Sequence, residues 1–133
     1  MPLEIMATVI ESIAPKLSGA AGTTGVDSVD LQNWLLRFGS ESQGLREVVA
    51  ALGSWLANGQ PPWAACRAIM ACRLVALDKK PGVRPVGIGE SLRRLLAKSV
   101  VKIAGAQAMQ AAGNLNLCAG LPAGIEGAVH SIL

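Results

Sequence analysis

The stretch from Arg73 to Gly89, RLVALDKKPGVRPVGIG, constrains this chain more than any other. Almost everywhere else apolar residues recur every three or four positions, the period of a helix. Here two short aliphatic runs flank a Lys-Lys-Pro-Gly turn instead. Pro81 and Gly82 match the two central positions of a type II turn, because proline presets one dihedral and glycine accepts the positive φ that follows. The reading is a β-hairpin, with RLVAL as a mostly buried strand and Val83 to Ile88 as its partner. Two strands alone are marginal, so the hairpin is expected to lean on a helix, the stripe from Leu92 to Ile103 being the surface on offer.

Helices are expected on both sides of the hairpin. Leu3, Met6, Ile10, Ile13 and Leu17 predict a short amphipathic helix interrupted near Pro15, and SGAAGTTG from Ser18 to Gly25 reads as a flexible linker. Asp27 or Ser28 can cap a helix with Val29, Leu31, Trp34, Leu35 and Phe38 on one face. Ser42 can cap another, from Leu45 to Ala57, that pairs with it as a helical hairpin. The tryptophans in these stripes read as core. Pro61 and Pro62 start a helix through Ala71. Glu90 opens a long one to about Ala112, closed by Gly113, with Leu92, Leu95, Leu96, Val100 and Ile103 as its buried stripe. A Gly/Pro-rich loop, Leu117 to Gly124, and an apolar helix, Ile125 to Leu133, follow. The fold class is therefore α+β, mostly helical, with helices flanking one short antiparallel β-hairpin. Residues 1–25 are a helical segment and linker, and residues 26–133 are one unit made of a helical lead-in (26–72), the hairpin (73–89) and closing helices (90–133).

Charge is placed unevenly. Residues 1–66 hold three bases, Lys16, Arg37 and Arg46, against six acids, whereas residues 67–102 hold nine bases against two acids, a local excess of seven. A polyanionic partner is one reading of that run and a solvated basic face is the other. With 133 residues, 51% apolar and only 16% charged, the chain is too hydrophobic for disorder. So little charge leaves apolar surface to cover, which points to a fragment or an obligate interface, and to self-association. Aromatic residues are few, so base stacking would fall to Trp34, Trp55, Trp63 or an arginine plane. Cys66, Cys72 and Cys118 form no CxxC pair, and His130 is the only histidine, which suggests neither a disulfide framework nor a metal site. No stretch reads as a membrane span or a secretory signal, so an intracellular location is the expectation.

Residues 74–89, LVALDKKPGVRPVGIG, resemble the first conserved block of reverse transcriptases, in which a strand, a lysine-containing turn and an Arg-Pro-aliphatic strand build the fingers hairpin. ESLRRLLAKSVVK, residues 90–102, is similar to the helix that follows in that family, and NLCAGLPAGIEGAVHSI, residues 116–132, is similar to the second block. The resemblance covers about residues 55–133 and suggests a retrotransposon-like subgroup. It implies a partial fingers and palm of a right-hand polymerase, with RNA or DNA template-primer and a deoxynucleoside triphosphate as partners. By the same resemblance Lys79 or Lys80, together with Arg84, would grip the triphosphate, arginine as a fork and lysine as a point charge. Arg93, Arg94, Lys98 and Lys102 would track a template or primer backbone.

What the chain lacks bears on activity. Two-metal nucleotidyl transfer needs clustered carboxylates, and the chain has no Asp-Asp pair. The family's first catalytic aspartate would follow the second block, beyond Leu133. No catalytic residue and no metal ligand is expected within this chain, and Mg2+ only in a complete family member. Two other readings stand beside this one: a non-catalytic nucleic-acid-binding module that reuses the hairpin, and a helical protein-interaction domain. For the basic residues, a solvated turn and a solubilising helix face remain the plain alternatives. Gly120 and Gly124 serve either close backbone approach or turn geometry, and His130 reads as a packed side chain rather than an acid or base.

Overall fold

A computed structural model describes residues 2–113. In chain order these form α1 (Ala7–Ile13), a single 3-10 turn (Ala14–Lys16), α2 (Ser28–Leu36), α3 (Gly39–Asn58), α4 (Trp63–Met70), β1 (Cys72–Asp78), β2 (Val83–Gly89) and α5 (Ser91–Ala112). The α+β class, dominated by helix with one antiparallel pair of strands, is as the periodicities predict. The expected loop and helix over 117–133, with Cys118, Gly120, Gly124 and His130, lie outside the described residues.

Local chemistry explains most boundaries. Asp27 caps α2, its carboxylate accepting from the N–H groups of Val29 and Asp30 at 2.8 Å each, which satisfies two donors that a helix start leaves open. Ser42 is not the cap of α3, which begins earlier, at Gly39. Instead its buried hydroxyl joins α2 to α3, accepting from the Phe38 N–H (2.9 Å) and donating to the Trp34 carbonyl (2.7 Å). Pro62 is the N-cap of α4 and Trp63 its first residue, so the prolines stand just before the helix and not in its first turn. Gly113, at φ +72°, ends α5.

Two expectations about the first 25 residues fail. The stripe from Leu3 to Leu17 does not begin as helix, because Leu3 to Met6 run without regular structure along α3. The Leu3 N–H donates to Asn58 Oδ1 (2.7 Å), Asn58 Nδ2 donates to the Leu3 carbonyl (2.6 Å), and the Ile5 N–H donates to Ser54 Oγ (2.8 Å). Side chains on α3 thus satisfy backbone groups that a helix would have paired internally. The segment read as a linker is likewise fastened. Gly22 is buried so close to Glu90 that an added Cβ would lie 2.9 Å from its Cα, and the Gly19 carbonyl accepts from Ser28 Oγ at 3.0 Å.

The core sits among α1, α2, α3 and α5, built from Ile10, Ile13, Leu31, Leu35, Val49 and Leu95 with Leu17 and Leu96. Ile5 enters it over Gly53 of α3, where a Cβ would stand 2.8 Å from both Ile5 Cδ1 and Leu96 Cδ2. Glycine is what lets these three elements meet. The apolar stripe of α5 therefore faces the helices and leaves the hairpin uncovered.

That overturns two further expectations. Strand β1 is not mostly buried, since Leu74 is 75% exposed and only Val75 along it is half-buried. Nor do the tryptophans of the two stripes form core: Trp34 is 46% and Trp55 51% exposed. Helical spacing marks an apolar face, but it does not say whether anything covers that face.

Candidate nucleic-acid interface

The hairpin pairs without a bulge, from Cys72 opposite Gly89 to Asp78 opposite Val83. Its turn spans Lys79 to Gly82, with the Lys79 N–H donating to the Gly82 carbonyl at 2.9 Å. The Lys80–Pro81 bond is cis and Gly82 has φ +100°. Proline therefore holds the third position of a four-residue turn, not the second position of a type II turn. Glycine takes the positive φ, as expected, but at the fourth position.

Side chains alternate across a strand, so the register assigns faces. Arg84 lies opposite Leu77, and Arg73 lies opposite Ile88 on the same face. Arg84 and Ile88 are four residues apart, so two arginines mark the ends of one surface about 13 Å long. Arg73 is a candidate that the hairpin motif alone passes over; counting strand parity from Arg84 through the Leu77 pair finds it. Lys79 and Lys80 occupy the turn itself. All four cations are exposed, and none makes a side-chain hydrogen bond or ion pair among the described residues. A paired ribbon carrying four exposed cations, with Asp78 as its one acid, is suited to receiving phosphate oxygens.

The basic residues of α5 are placed differently. Arg93 donates to the Met70 carbonyl (3.0 Å) and reaches Cys72 Sγ (3.5 Å), which ties the base of the hairpin to the helix. Arg94 donates to the Ala20 carbonyl (2.7 Å) and to Ser91 Oγ (2.9 Å). Lys98 donates to the Lys16 carbonyl (2.9 Å) at the end of the 3-10 turn, and Lys102 to Ser12 Oγ (2.5 Å). These four residues recur along one helix as a backbone-tracking row would. Their donors, however, are turned onto this chain's own atoms; the carbonyls of Met70 and Lys16, which end α4 and the 3-10 turn, are places where a cation is favourable.

Glu90 completes this fastening. Its carboxylate accepts from Thr23 Oγ1 (2.5 Å), from Thr24 Oγ1 (2.7 Å) and from the Thr24 N–H (2.8 Å). The Thr23 hydroxyl foremost, then the Thr24 hydroxyl and N–H, hold the carboxyl well below its usual range, at about 2, and outweigh the opposing effect of burial. No side-chain cap of α5 is formed, although the acid stands at the N-cap position. The sequence signal for the clasp is the pair of threonines inside the glycine-rich stretch, which composition alone reads as flexibility.

No group of three His, Cys, Asp or Glu side chains gathers among the described residues, Glu90 is held by threonines, and Asp78 ends β1 on the hairpin face opposite Arg84. Among the described residues no helix is long and apolar enough to cross a membrane. Against known proteins, no family model matches the chain, and no curated protein or solved structure matches it.

Proposed function

We propose that the chain is the amino-terminal, fingers-side part of a reverse transcriptase domain, whose hairpin offers cations to the phosphate oxygens of an incoming nucleotide or a template-primer. One observation carries the reading: of the nine bases over residues 67–102, eight divide into two sets, Arg67 standing apart, exposed on α4. Arg93, Arg94, Lys98 and Lys102 donate to protein oxygen or sulfur atoms, whereas Arg73, Lys79, Lys80 and Arg84 stand exposed on a two-stranded ribbon. Cations without internal partners keep their full capacity for phosphate, and a paired ribbon holds them at fixed separations. The backbone-tracking role first read for α5 therefore shifts to the hairpin. Lacking a carboxylate pair, the chain by itself supplies substrate contacts and no chemistry.

The test is binding of a labelled RNA–DNA primer-template across a salt series. Four phosphate contacts from Arg73, Lys79, Lys80 and Arg84 give a slope of log K against log salt of about −3 to −4. Arg73→Ala, Lys79→Ala, Lys80→Ala and Arg84→Ala together should flatten it, and Lys98→Ala should leave it in place. Displacement by a deoxynucleoside triphosphate supports the fingers reading, while polynucleotide binding indifferent to it favours a plain nucleic-acid-binding module. Weak binding that ignores salt removes both. It would leave the protein-interaction reading, which the exposure of Trp63 and Leu74 favours.

A further inference from the structure

The hairpin meets the helical body through two joints of one residue each, Ala71 between α4 and β1 and Glu90 between β2 and α5. Within itself the hairpin is braced, because every residue from Cys72 to Asp78 has its partner in register. The motion left to it is a swing of the whole ribbon about its joints. The Glu90 joint is pinned by the carboxylate that Thr23 and Thr24 hold. The Ala71 joint has no comparable anchor of its own. Among the described residues α4, on its far side, contains no buried residue, and the Ala71 N–H reaches only the Ala68 carbonyl of that same helix, at 3.4 Å.

One side chain of the body closes that joint. Arg93 follows Glu90 by about one turn of α5. Its guanidinium donates to the Met70 carbonyl on one side of Ala71 (3.0 Å) and to Cys72 Sγ on the other (3.5 Å). Cys72 pairs with Gly89, so the planar group lies across the last rung of the ladder. Gly89 is buried beneath it, where an added Cβ would stand 2.7 Å from Arg93 Cζ. Gly89 is not among the glycines of positive φ, so its missing Cβ serves this close approach and not the backbone.

We propose that Arg93 is a positioning residue that fixes the direction of the hairpin relative to the helical body, with Gly89 as the seat that admits it. Together with Glu90 it pins both joints from a single turn of α5. A ribbon held at both joints does not pivot, so Arg73, Lys79, Lys80 and Arg84 are presented in one direction. That these cations receive phosphate rests on the function proposed above; that the hairpin is fixed does not.

The experiment compares backbone 15N order parameters in the full chain, its Gly89→Ala and Arg93→Ala variants, and the double variant. Gly89→Ala keeps the charge and displaces only the far end of a flexible side chain, so it breaks the tie at little cost to the fold. In this protein residues 73–88 should match α2, α3 and α5 at about 0.85; in each single variant the hairpin should fall as a unit to about 0.6 or lower while the body keeps its value. The double variant should fall no further, since both substitutions break one contact. Should Arg93→Ala fail to fold, Arg93→Lys replaces it, a point charge that cannot span both acceptors. Unchanged order in Gly89→Ala, or a hairpin already mobile in this protein, overturns the inference. So does a fall in the Arg93 variant that Gly89→Ala does not share. In a parallel titration Gly89→Ala should weaken primer-template binding about threefold to tenfold and leave the salt slope in place, because all four cations remain. Absence of binding in every protein removes the proposed function and leaves the order parameters to judge Arg93.

Discussion

The helical body and the hairpin arm use the same residue types to opposite ends. In the body, Leu31, Leu35, Leu95 and Leu96 are sealed, and Arg93, Arg94 and Lys98 of α5 are bonded to main-chain oxygens. In the arm, Leu74 and Val83 face solvent, and the cations make no side-chain bond among the described residues. Composition does not distinguish the two regions. What does is sequence-distant fastening: among the described residues the body is closed by bonds between residues 49 to 90 positions apart, and the arm by its own ladder and the Arg93 tie. A basic residue is thus free for a ligand when the topology brings no carbonyl within its reach.

The sharpest way to break this contrast is a matched pair of truncations. Leu95→Ala, at a fully buried site, should cost about 2 to 5 kcal/mol in urea unfolding, whereas Leu74→Ala should stay within about 0.5 kcal/mol. Equal losses would mean that the arm is packed as tightly as the body. Next, Arg94→Met removes the bonds to Ala20 and Ser91 and should cost about 1.5 to 3 kcal/mol, while Arg84→Met should leave the melting curve unmoved. If Arg84 proves the more costly, the division of the cations is wrong.

Acid sharpens the comparison further. The Glu90 carboxyl is depressed from 4.5 in the unfolded chain to about 2 in the folded protein. Its contribution is thus complete above pH 4.5 and is lost as pH falls toward 2. Glu90→Gln should lower stability at neutral pH and flatten the acid limb between those values, measured by urea titration at each pH; an unaltered limb would discard the threonine clasp. The smallest effect belongs to Lys98→Ala. The loss of its bond to the Lys16 carbonyl should cost about 0.3 to 1 kcal/mol, read as a shift in urea midpoint at low ionic strength and diminished by salt.

Local signals made part of this molecule legible. Pro61-Pro62, Asp27 and Gly113 bound helices because capping and proline geometry act within a few residues, and Lys-Lys-Pro-Gly placed the turn for the same reason. The misreadings share a cause. Leu3 and Met6 fit a helical period, yet Asn58 and Ser54 hold Leu3 and Ile5 out of helix from across the fold. Gly22 and the two threonines look like a flexible spacer until Glu90 closes on them. At the candidate site, Lys79, Lys80 and Arg84 stand on the hairpin where the motif put them. The roles of Arg94 and Lys98 depended on carbonyls 74 and 82 positions away, which no window of sequence contains.

That long reach has a consequence in time. Ala20 and Arg94 meet across 74 intervening steps of chain, and at about 5 to 20 residues per second the ribosome needs roughly 4 to 15 s to add them. Throughout that interval Ile10, Ile13 and Leu17 have no α5 to close over them. A nascent chain of this kind waits half-assembled for α5, and whatever shields those isoleucines in the meantime governs how much of it matures.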